Sequence, residues 1–493
     1  MSSILGLGGG GDAAFYPFQI DQSLRYNDDD DVQLFRTPST NDRRKFTWSG
    51  WLKRSNIGSG QGIFGTTRGD ATDFFIMQFL SDNTIFIQNL ASSSQNIRLG
   101  TSQVFRDVSA WYHIVLAVDT TQGTASDRVK LYVNGGQITD FSSGNNTQPT
   151  QNLDTEMNNS IVVAVGAINT GTIQSLDGYL AEVNFVEGSQ LAPTSFGETK
   201  NDVWIPKQYT GSYGTNGFRL EFAQSGLSND ANGVGADTSG NNNHLSVSNF
   251  ATTDQMPDSP TDNKATFNAL VKDLKHATTL SDGNKTISFT SGSSGFSGCP
   301  MTIFRSEGKA YCEVNLDRTY DGNSGDSQTV FVVGEEKNFA DIGSGDSSNF
   351  EGSYNAGGSS DAAASINNSG VNQGTPTKFR SANDRVGVYI DFDAGKGFFA
   401  LNGTVQTVNG TPDIANGTNP HFTFTANTRL TVGVGGIHAG TPAILTLKDD
   451  PSDWGTTPPA GYTAFSAAEL PDPGIDPNKG ETPDEYFNTV TYT

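Results

Sequence analysis

The sequence holds little cysteine, methionine or histidine: 2, 5 and 5 residues in 493. Two cysteines, Cys299 and Cys312, cannot build a disulfide framework. Nothing in the sequence gives a route to an oxidising compartment, so two free thiols are expected. The histidines, His113, His244, His276, His421 and His438, lie scattered, without the paired spacing of a zinc site. Positive charge is also scarce. Lys and Arg number 30 against 53 Asp and Glu, a net charge of −23. Such a field repels phosphate backbones and anionic lipid, so neither nucleic acid nor membrane is an expected partner. No apolar run approaches the ~18 residues of a membrane span. The N-terminal MSSILGLGGGGDAAFYPF has no basic segment and its apolar run stops after Leu7, so it is not read as a secretory signal. Folding in the cytoplasm follows. Helical periodicity is confined to a brief stretch around Phe267–His276.

What the chain does have is turns and alternation. Its 57 glycines, with many Asn, Ser, Thr and Asp, supply numerous tight turns. One unit occurs twice, as WYHIVLAVDTTQGTASDRVKLYVNGGQITDF (Trp111–Phe141) and RVGVYIDFDAGKGFFALNGTVQTV (Arg385–Val408). Each reads strand, polar turn, strand, Asn-Gly, strand. Tyr112, Ile114, Leu116 and Val118 share one strand face, and Val129, Leu131 and Val133 another. Val386, Val388, Ile390 and Phe392 repeat the pattern before Phe399 and Leu401. Asn134-Gly135 and Asn402-Gly403 tolerate the positive φ of a type I′ turn, so both are predicted hairpin tips. The fold class expected is all-β, with two antiparallel sandwiches.

The organisation follows from these signals. Residues 1–14 form a Gly-rich arm in which Ile4, Leu5 and Leu7 precede Gly8–Gly11. Four glycines in a row hold no fixed path alone, so Ile4, Leu5 and Leu7 are read as docking residues for a partner, the alternative being packing on their own domain. A first sandwich is assigned to 15–200, with strands at Ser23–Tyr26, Phe46–Lys53, Phe74–Leu80, Thr84–Asn89, Trp111–Asp119, Val129–Asn134, Ile161–Gly166 and Gly178–Val186. A connector, 201–265, carries a strand at Phe218–Phe222 and an Asn-rich loop, Asp237–His244. A second sandwich takes 266–470, with Gly343–Gly374 read as an exposed Gly- and Ser-rich decoration. A Pro-rich tail, 471–493, ends on an alternating segment, Phe487–Tyr492. An unpaired terminal strand is an adhesive edge; it pairs with a neighbouring subunit or leads into further chain.

The motifs WSGWLKR (Trp48–Arg54), WYHIVLAVDT, RVKLYVNG and LDGYLAEVNF (Leu176–Phe185) resemble, in that order, the strands of laminin-G-like, concanavalin-A-like jelly rolls. GKAYCEVNL (Gly308–Leu316) with Arg385–Gly403 resembles SPRY domains, another sandwich of the concanavalin-A-like kind. The whole arrangement is similar to virion proteins of tailed phages from aquatic environments. In those, an SLR strand and RTP turn (Ser23–Arg25, Arg36–Pro38) precede WSGWLKR, and a D-x-SGN-x-N loop and SPT connector follow. That resemblance implies a component of the virion exterior, a tail fibre or capsid fibre, whose lectin-like modules contact host surface glycans. A decoration or adaptor protein that binds only other virion proteins is the alternative, with a polysaccharide-degrading enzyme disfavoured.

No catalytic constellation accompanies these motifs. The E-x-D-x-x-E run of jelly-roll glucanases is absent, and Asp391 and Asp393 share a face but enter a DAG turn, where carboxylates are ordinarily solvated. No G-x-S-x-G occurs, so the protein is read as no enzyme. His113 is placed on the outer face of its strand. The stretch Arg43–Arg54 puts Phe46, Trp48 and Leu52 on one face, a core strand with solvated basic ends rather than a nucleic-acid platform. Asp28–Asp31 could hold calcium with backbone carbonyls, but without EF-hand spacing a hydrated acidic loop is favoured and no cofactor is expected; Asp70 and Asp73 are read likewise. Glycan-binding residues are not assignable from motifs. Shallow sites gain from multivalency, about 10²–10⁴ in avidity. A homo-oligomer is therefore expected, a trimer favoured, with contacts at Phe487–Tyr492 or the arm.

Overall fold

A computed structural model describes residues 15–69, 71–169, 173–270, 278–289, 297–317, 328–339, 349–356, 363–437 and 443–470. Alternating β-branched and aromatic residues become strands as the pattern requires, and the two Asn-Gly pairs become hairpin tips. Asn134 and Gly135 have φ of 48° and 80°, Asn402 and Gly403 of 50° and 79°. They join Val133 to Gly136 and Leu401 to Thr404. The fold is all-β and concanavalin-A-like, built from antiparallel sandwiches with no α-helix among the described residues.

In chain order the first sandwich contains β1 (Ser23–Tyr26), β2 (Gln33–Arg36), β3 (Lys45–Arg54), β4 (Gln61–Thr67), β5 (Phe74–Phe79), β6 (Thr84–Ala91), β7 (Ser94–Val104), β8 (Tyr112–Asp119), β9 (Val129–Val133), β10 (Gly136–Ile138), β11 (Phe141–Thr147), β12 (Val163–Val165), β13 (Ala167–Asn169), β14 (Ile173–Ser175) and β15 (Gly178–Glu187). One sheet runs β10-β9-β8-β3-β15-β1 and ends on Gln255–Met256; its partner runs β11-β7-β6-β5-β4-β12-β2 and ends on Ser246–Ser248. Their inner faces meet in a core of Phe46, Trp48, Phe64, Phe75, Ile114 and Phe185 among others. Trp48 stacks on Phe64 at 5.8 Å, and Phe46 meets Phe75 edge-on at 5.3 Å, the geometries that the ring quadrupole favours.

The first sheet is buried on both faces. Trp51, Trp111, Tyr179, Ile20 and Met256 cluster on its outer side, as do Val115, Val186, Phe196 and Tyr213. The segment following β15 supplies much of this cover, and Phe218–Leu220 adds a strand beside β15. The Asn-rich loop folds onto the same region. Asp237 accepts backbone N–H groups of Arg219, Ser239 and Asn243 at 2.7–2.9 Å. Asn241 and Asn243 spend their amides on the carbonyls of Gly214, Thr215 and Gly217.

Burial reaches the C-terminal end of the basic stretch, correcting the expectation of a solvated end there, while Arg44 at the other end keeps 41% of its side chain exposed. Arg54 is 0 % exposed. It donates to Asn83 Oδ1 and Phe105 O at 3.0 and 2.8 Å and lies 4.1 Å from the centre of the Phe79 ring. Burial pulls this guanidinium down to about 10. Lys53 is 1 % exposed and reaches Asp258 at 2.8 Å. The cause is that β3 is a central strand whose end runs beneath the connector, which periodicity within the strand cannot reveal.

The second sandwich pairs a sheet ordered Thr278–Ser281, Thr286–Phe289, Ala443–Lys448, Lys309–Leu316, Arg385–Asp391, Lys396–Leu401 and Thr404–Val405 with one ordered Ser297–Pro300, Thr431–Ile437, Gln328–Gly334, Gly352–Asn355, Ser365–Asn368 and Val371–Gly374. The last three strands fall inside Gly343–Gly374, so the described part of that stretch is sheet, not decoration; Tyr354 and Ile366 enter the core. Its Gly and Ser content hid short strands, because only alternate positions carry large side chains. Cys299 and Cys312 form no disulfide and are buried on opposite sheets of this core. Phe267 also packs there; 268–270 of the helical-looking stretch are loop and turn, and 271–276 lie outside the described residues. The two sandwiches touch through Tyr179 Oη donating to Gly283 O at 2.8 Å and Asn284 Nδ2 donating to Ser55 O at 2.7 Å.

Candidate functional site

With one sheet of the first sandwich covered on both faces, the outer face of its partner is where a ligand can approach. On β5, Phe75, Met77 and Phe79 fill the core, so the two-residue period turns Phe74, Ile76 and Gln78 outward. Register sets Gln78 beside Gly62 and Phe86, Ile76 beside Gly65 and Gln88, and Phe74 beside Thr67 and Leu90. Above β4 lies the β13–β14 hairpin. It approaches so closely that a Cβ on Gly62 would stand 2.5 Å from Ile168 N and 2.6 Å from Gln174 O. Glycine is what lets the hairpin sit there.

Ile168 then divides the face into two hollows of about 480 Å³ each. The first combines Phe74, Ile76 and Ile168 with Gln78, Gln88 and Gln174. Gln88 donates to Gln95 Oε1 at 3.0 Å, which also accepts from Arg98 at 3.0 Å. The amides of Gln78 and Gln174 make no hydrogen bond to another described residue. Among the described residues Asp82 is the one carboxylate on the rim. The hydroxyl of Thr84 at 2.6 Å and its N–H at 3.0 Å hold that carboxyl below its usual range. The hollow therefore offers apolar surface, neutral donors and acceptors, and no acid–base pair. The second is lined by Phe35, Thr37, Thr67, Val162 and Asn169. In the second sandwich a hollow of about 430 Å³ is lined by Phe304, Glu335, Glu336, Lys337 and Arg429.

The other candidate residues fall elsewhere. His113 does lie on the outer face of β8, but it is 1 % exposed, stacked between Trp51 and Trp204. Its Nε2 is 2.9 Å from Ser49 Oγ, which looks like a nucleophile with its base. The indole N–H of Trp204 donates to Nδ1 at 2.9 Å, so Nε2 carries the ring proton and donates to the serine. Burial also pushes the ring down to about 3. This pair activates nothing. Asp391 accepts from Ala394 N and pairs with Lys309 at 3.1 Å, while Asp393 accepts from Gly308 N; both brace turns. Asp28–Asp30 form one 3₁₀ turn, with Asn27 accepting from Asp29 N. Burial lifts the Asp28 carboxyl, and the Asp29 charge adds to it. Among the described residues no three His, Cys, Asp or Glu side chains gather closely enough to hold a metal ion. Asp73 accepts from Ser92 N at 2.6 Å. Asp70, the docking residues Ile4, Leu5 and Leu7, and the terminal segment Phe487–Tyr492 lie outside the described residues.

Residues 27–193 match the concanavalin A-like lectin/glucanases superfamily. Among solved structures, domains LG4-5 of the mouse laminin alpha1 chain align over 90% of this chain and 93% of that one, with 10% identity and a TM-score of 0.29. The SPRY domain of human HERC1 aligns over 37% and 96%, with 14% identity and a TM-score of 0.26. A putative carbohydrate binding protein from Bacteroides ovatus aligns over 36% and 46%, with 14% identity and a TM-score of 0.26. A search of curated protein sequences finds no match.

Sequence reasoning missed Gln78, Gln88 and Gln174. A signal was present in FFIMQF and TIFIQN: both faces of β5 and β6 carry apolar residues, so the outer one is not an ordinary solvated surface.

Proposed function

We propose that the chain is a non-catalytic binding protein whose first sandwich holds a neutral glycan on the hollow over β4–β6. The observation that carries this reading is the pairing, in one hollow with Asp82 only at its rim, of the apolar floor of Phe74 and Ile76 with the unengaged amides of Gln78 and Gln174. Apolar contact suits the C–H face of a sugar ring, and an amide offers donor and acceptor together to neighbouring hydroxyls. The match of residues 27–193 to a superfamily that includes lectins supports it, as analogy of fold. A glycan array followed by calorimetry tests it. The wild type should bind an uncharged glycan, with Gln78→Ala weakening it at least tenfold and leaving the far-ultraviolet spectrum unchanged. Failure of the wild type to bind any glycan, or equal affinity in the variant, overturns the site.

The resemblance of the ordered motifs to tailed-phage virion proteins supports a finer reading. Here the protein is an exterior appendage, a tail or capsid fibre, docked through Ile4, Leu5 and Leu7 and assembled as a homo-oligomer, a trimer favoured. Deleting 1–11 should leave the sandwiches folded and abolish incorporation into particles; incorporation at wild-type occupancy would reject it.

A further inference from the structure

We propose that Lys53 and Asn263 are the two ends of an intramolecular isopeptide bond, formed after folding with loss of ammonia. Lys53 Nζ lies 2.8 Å from Asn263 Oδ1, 2.8 Å from Asp258 Oδ2 and 3.1 Å from Lys264 O. A buried ion pair accounts for the carboxylate. The Asn263 carboxamide oxygen and the Lys264 carbonyl take the other two ammonium protons, which sets the carboxamide against the same nitrogen. The orientation of that carboxamide is dictated from both sides: the lysine, a donor, requires the oxygen, and Ser109 O, an acceptor, takes Nδ2 at 2.8 Å. The electrophilic carbon thus lies one C–O bond beyond the oxygen that the lysine nitrogen contacts, and the nitrogen that must leave rests against an acceptor.

Asp258 is placed to move the protons. It is 2 % exposed, and its Oδ1 accepts from Trp111 Nε1 and Lys264 N, both at 3.2 Å, which leaves Oδ2 to the lysine. Burial holds this carboxyl above the usual carboxylate range, against the opposing pull of Lys53. Trp51, Trp111 and Tyr179 wall the group, and Nζ stands 5.9 Å from the centre of the Tyr179 ring. In such a dry, low-dielectric site the Asp258 carboxyl is favoured in its neutral form, and fixed reactants gain the advantage of proximity.

The step balances without a co-reactant. Asp258 takes a proton from the Lys53 ammonium. The free amine attacks Cγ of Asn263, forming the Nζ–Cγ bond, while protonated Asp258 returns a proton to the developing oxyanion. Collapse of the tetrahedral centre breaks Cγ–Nδ2, and ammonia departs with the remaining proton as ammonium. Lysine ammonium and carboxamide become a secondary amide and ammonium ion, with no change of oxidation state. The bond would span 210 positions and tie a central strand of the first sandwich to the connector leading into the second. Pulling load would then bypass the intervening loops.

Mass spectrometry of the full-length chain under denaturing conditions tests this. The wild type should be lighter than its sequence by one ammonia, with digestion yielding a branched peptide joining Lys53 to Asn263. Lys53→Met and Asp258→Ala should have their full sequence masses, and Asn263→Asp should lose water in place of ammonia. A folded wild type at its full sequence mass overturns the proposal, whether or not the variants fold. So does an ammonia loss that maps to a succinimide at an Asn-Gly pair such as Asn134-Gly135.

Discussion

Trp204 donates its indole N–H to Nδ1 of His113 at 2.9 Å, and that bond fixes the imidazole as a neutral tautomer inside an aromatic stack. Protonating Nδ1 would cost the hydrogen bond and bury a charge. The folded ring is accordingly held down to about 3, against about 6.5 in an unfolded chain. Between those values the unfolded state binds the extra proton. The contribution of His113 is complete above pH 6.5 and is lost as pH falls toward 3, at about 1.4 kcal/mol per pH unit. Urea titrations from pH 4 to 7.5 on wild type and His113→Gln should give a stability difference that changes with this slope below pH 6.5 and is flat above. Parallel curves would show that the ring titrates normally.

Gly62 makes a separate prediction about the proposed binding face. A methyl group there would run into the backbone of Ile168 and Gln174, atoms that cannot move without lifting the β13–β14 hairpin. Gly62→Ala should cost about 1–3 kcal/mol, the ordinary range for overpacking, and should weaken glycan binding because Gln174 moves with the hairpin. Calorimetric melting and binding isotherms on the one variant check both. Unchanged melting would mean that the hairpin does not bear on β4.

How far the sequence could be read follows from the range of its signals. Asn134-Gly135 and the alternation of Ile114, Leu116 and Val118 are local, so the hairpin and its core face were legible. The burial of Lys53 and His113 was not, because it depends on Asp258 and Trp204, 205 and 91 positions away. Period-two reasoning placed His113 on the outer face correctly and had no means of knowing that the connector covers that face. The grouping of amides in the proposed binding hollow was not legible for a similar reason. The apolar residues on both faces of β5 and β6 hint at an unusual outer surface, but only the register sets Gln78 and Gln88 beside Phe86 and Ile76.

Asp177 titrates in the opposite sense to His113. Burial, reinforced by the charges of Asp28 and Asp29, lifts its carboxyl to about 7, against about 3.9 unfolded. Between those values the folded state holds a proton that the unfolded state has released, so wild-type stability falls as pH rises. Asp177→Asn removes the effect. Relative to wild type, the variant should gain about 1.4 kcal/mol per pH unit between pH 4 and 7 and nothing further above. A difference independent of pH would reject the shifted carboxyl.

The Asn-rich loop and the glutamine hollow make opposite predictions. Asn243 donates to Thr215 O and Gly217 O, each at 2.9 Å, and accepts from Arg36 at 2.6 Å. These bonds hold the loop onto the sandwich and leave little of the side chain for a ligand. Removing them takes this partner from Thr215 O and from an Arg36 guanidinium donor, while Gly217 O keeps Asn241, so Asn243→Ala should lower stability by about 1–3 kcal/mol with glycan affinity intact in the folded fraction. Gln78→Ala breaks no bond within the described protein and should do the reverse, sparing the melting temperature and losing affinity. Melting and binding measured on both variants give the crossed pattern. If Asn243→Ala lost binding without losing stability, the ligand would sit on the loop and the hollow over β4–β6 would be the wrong site.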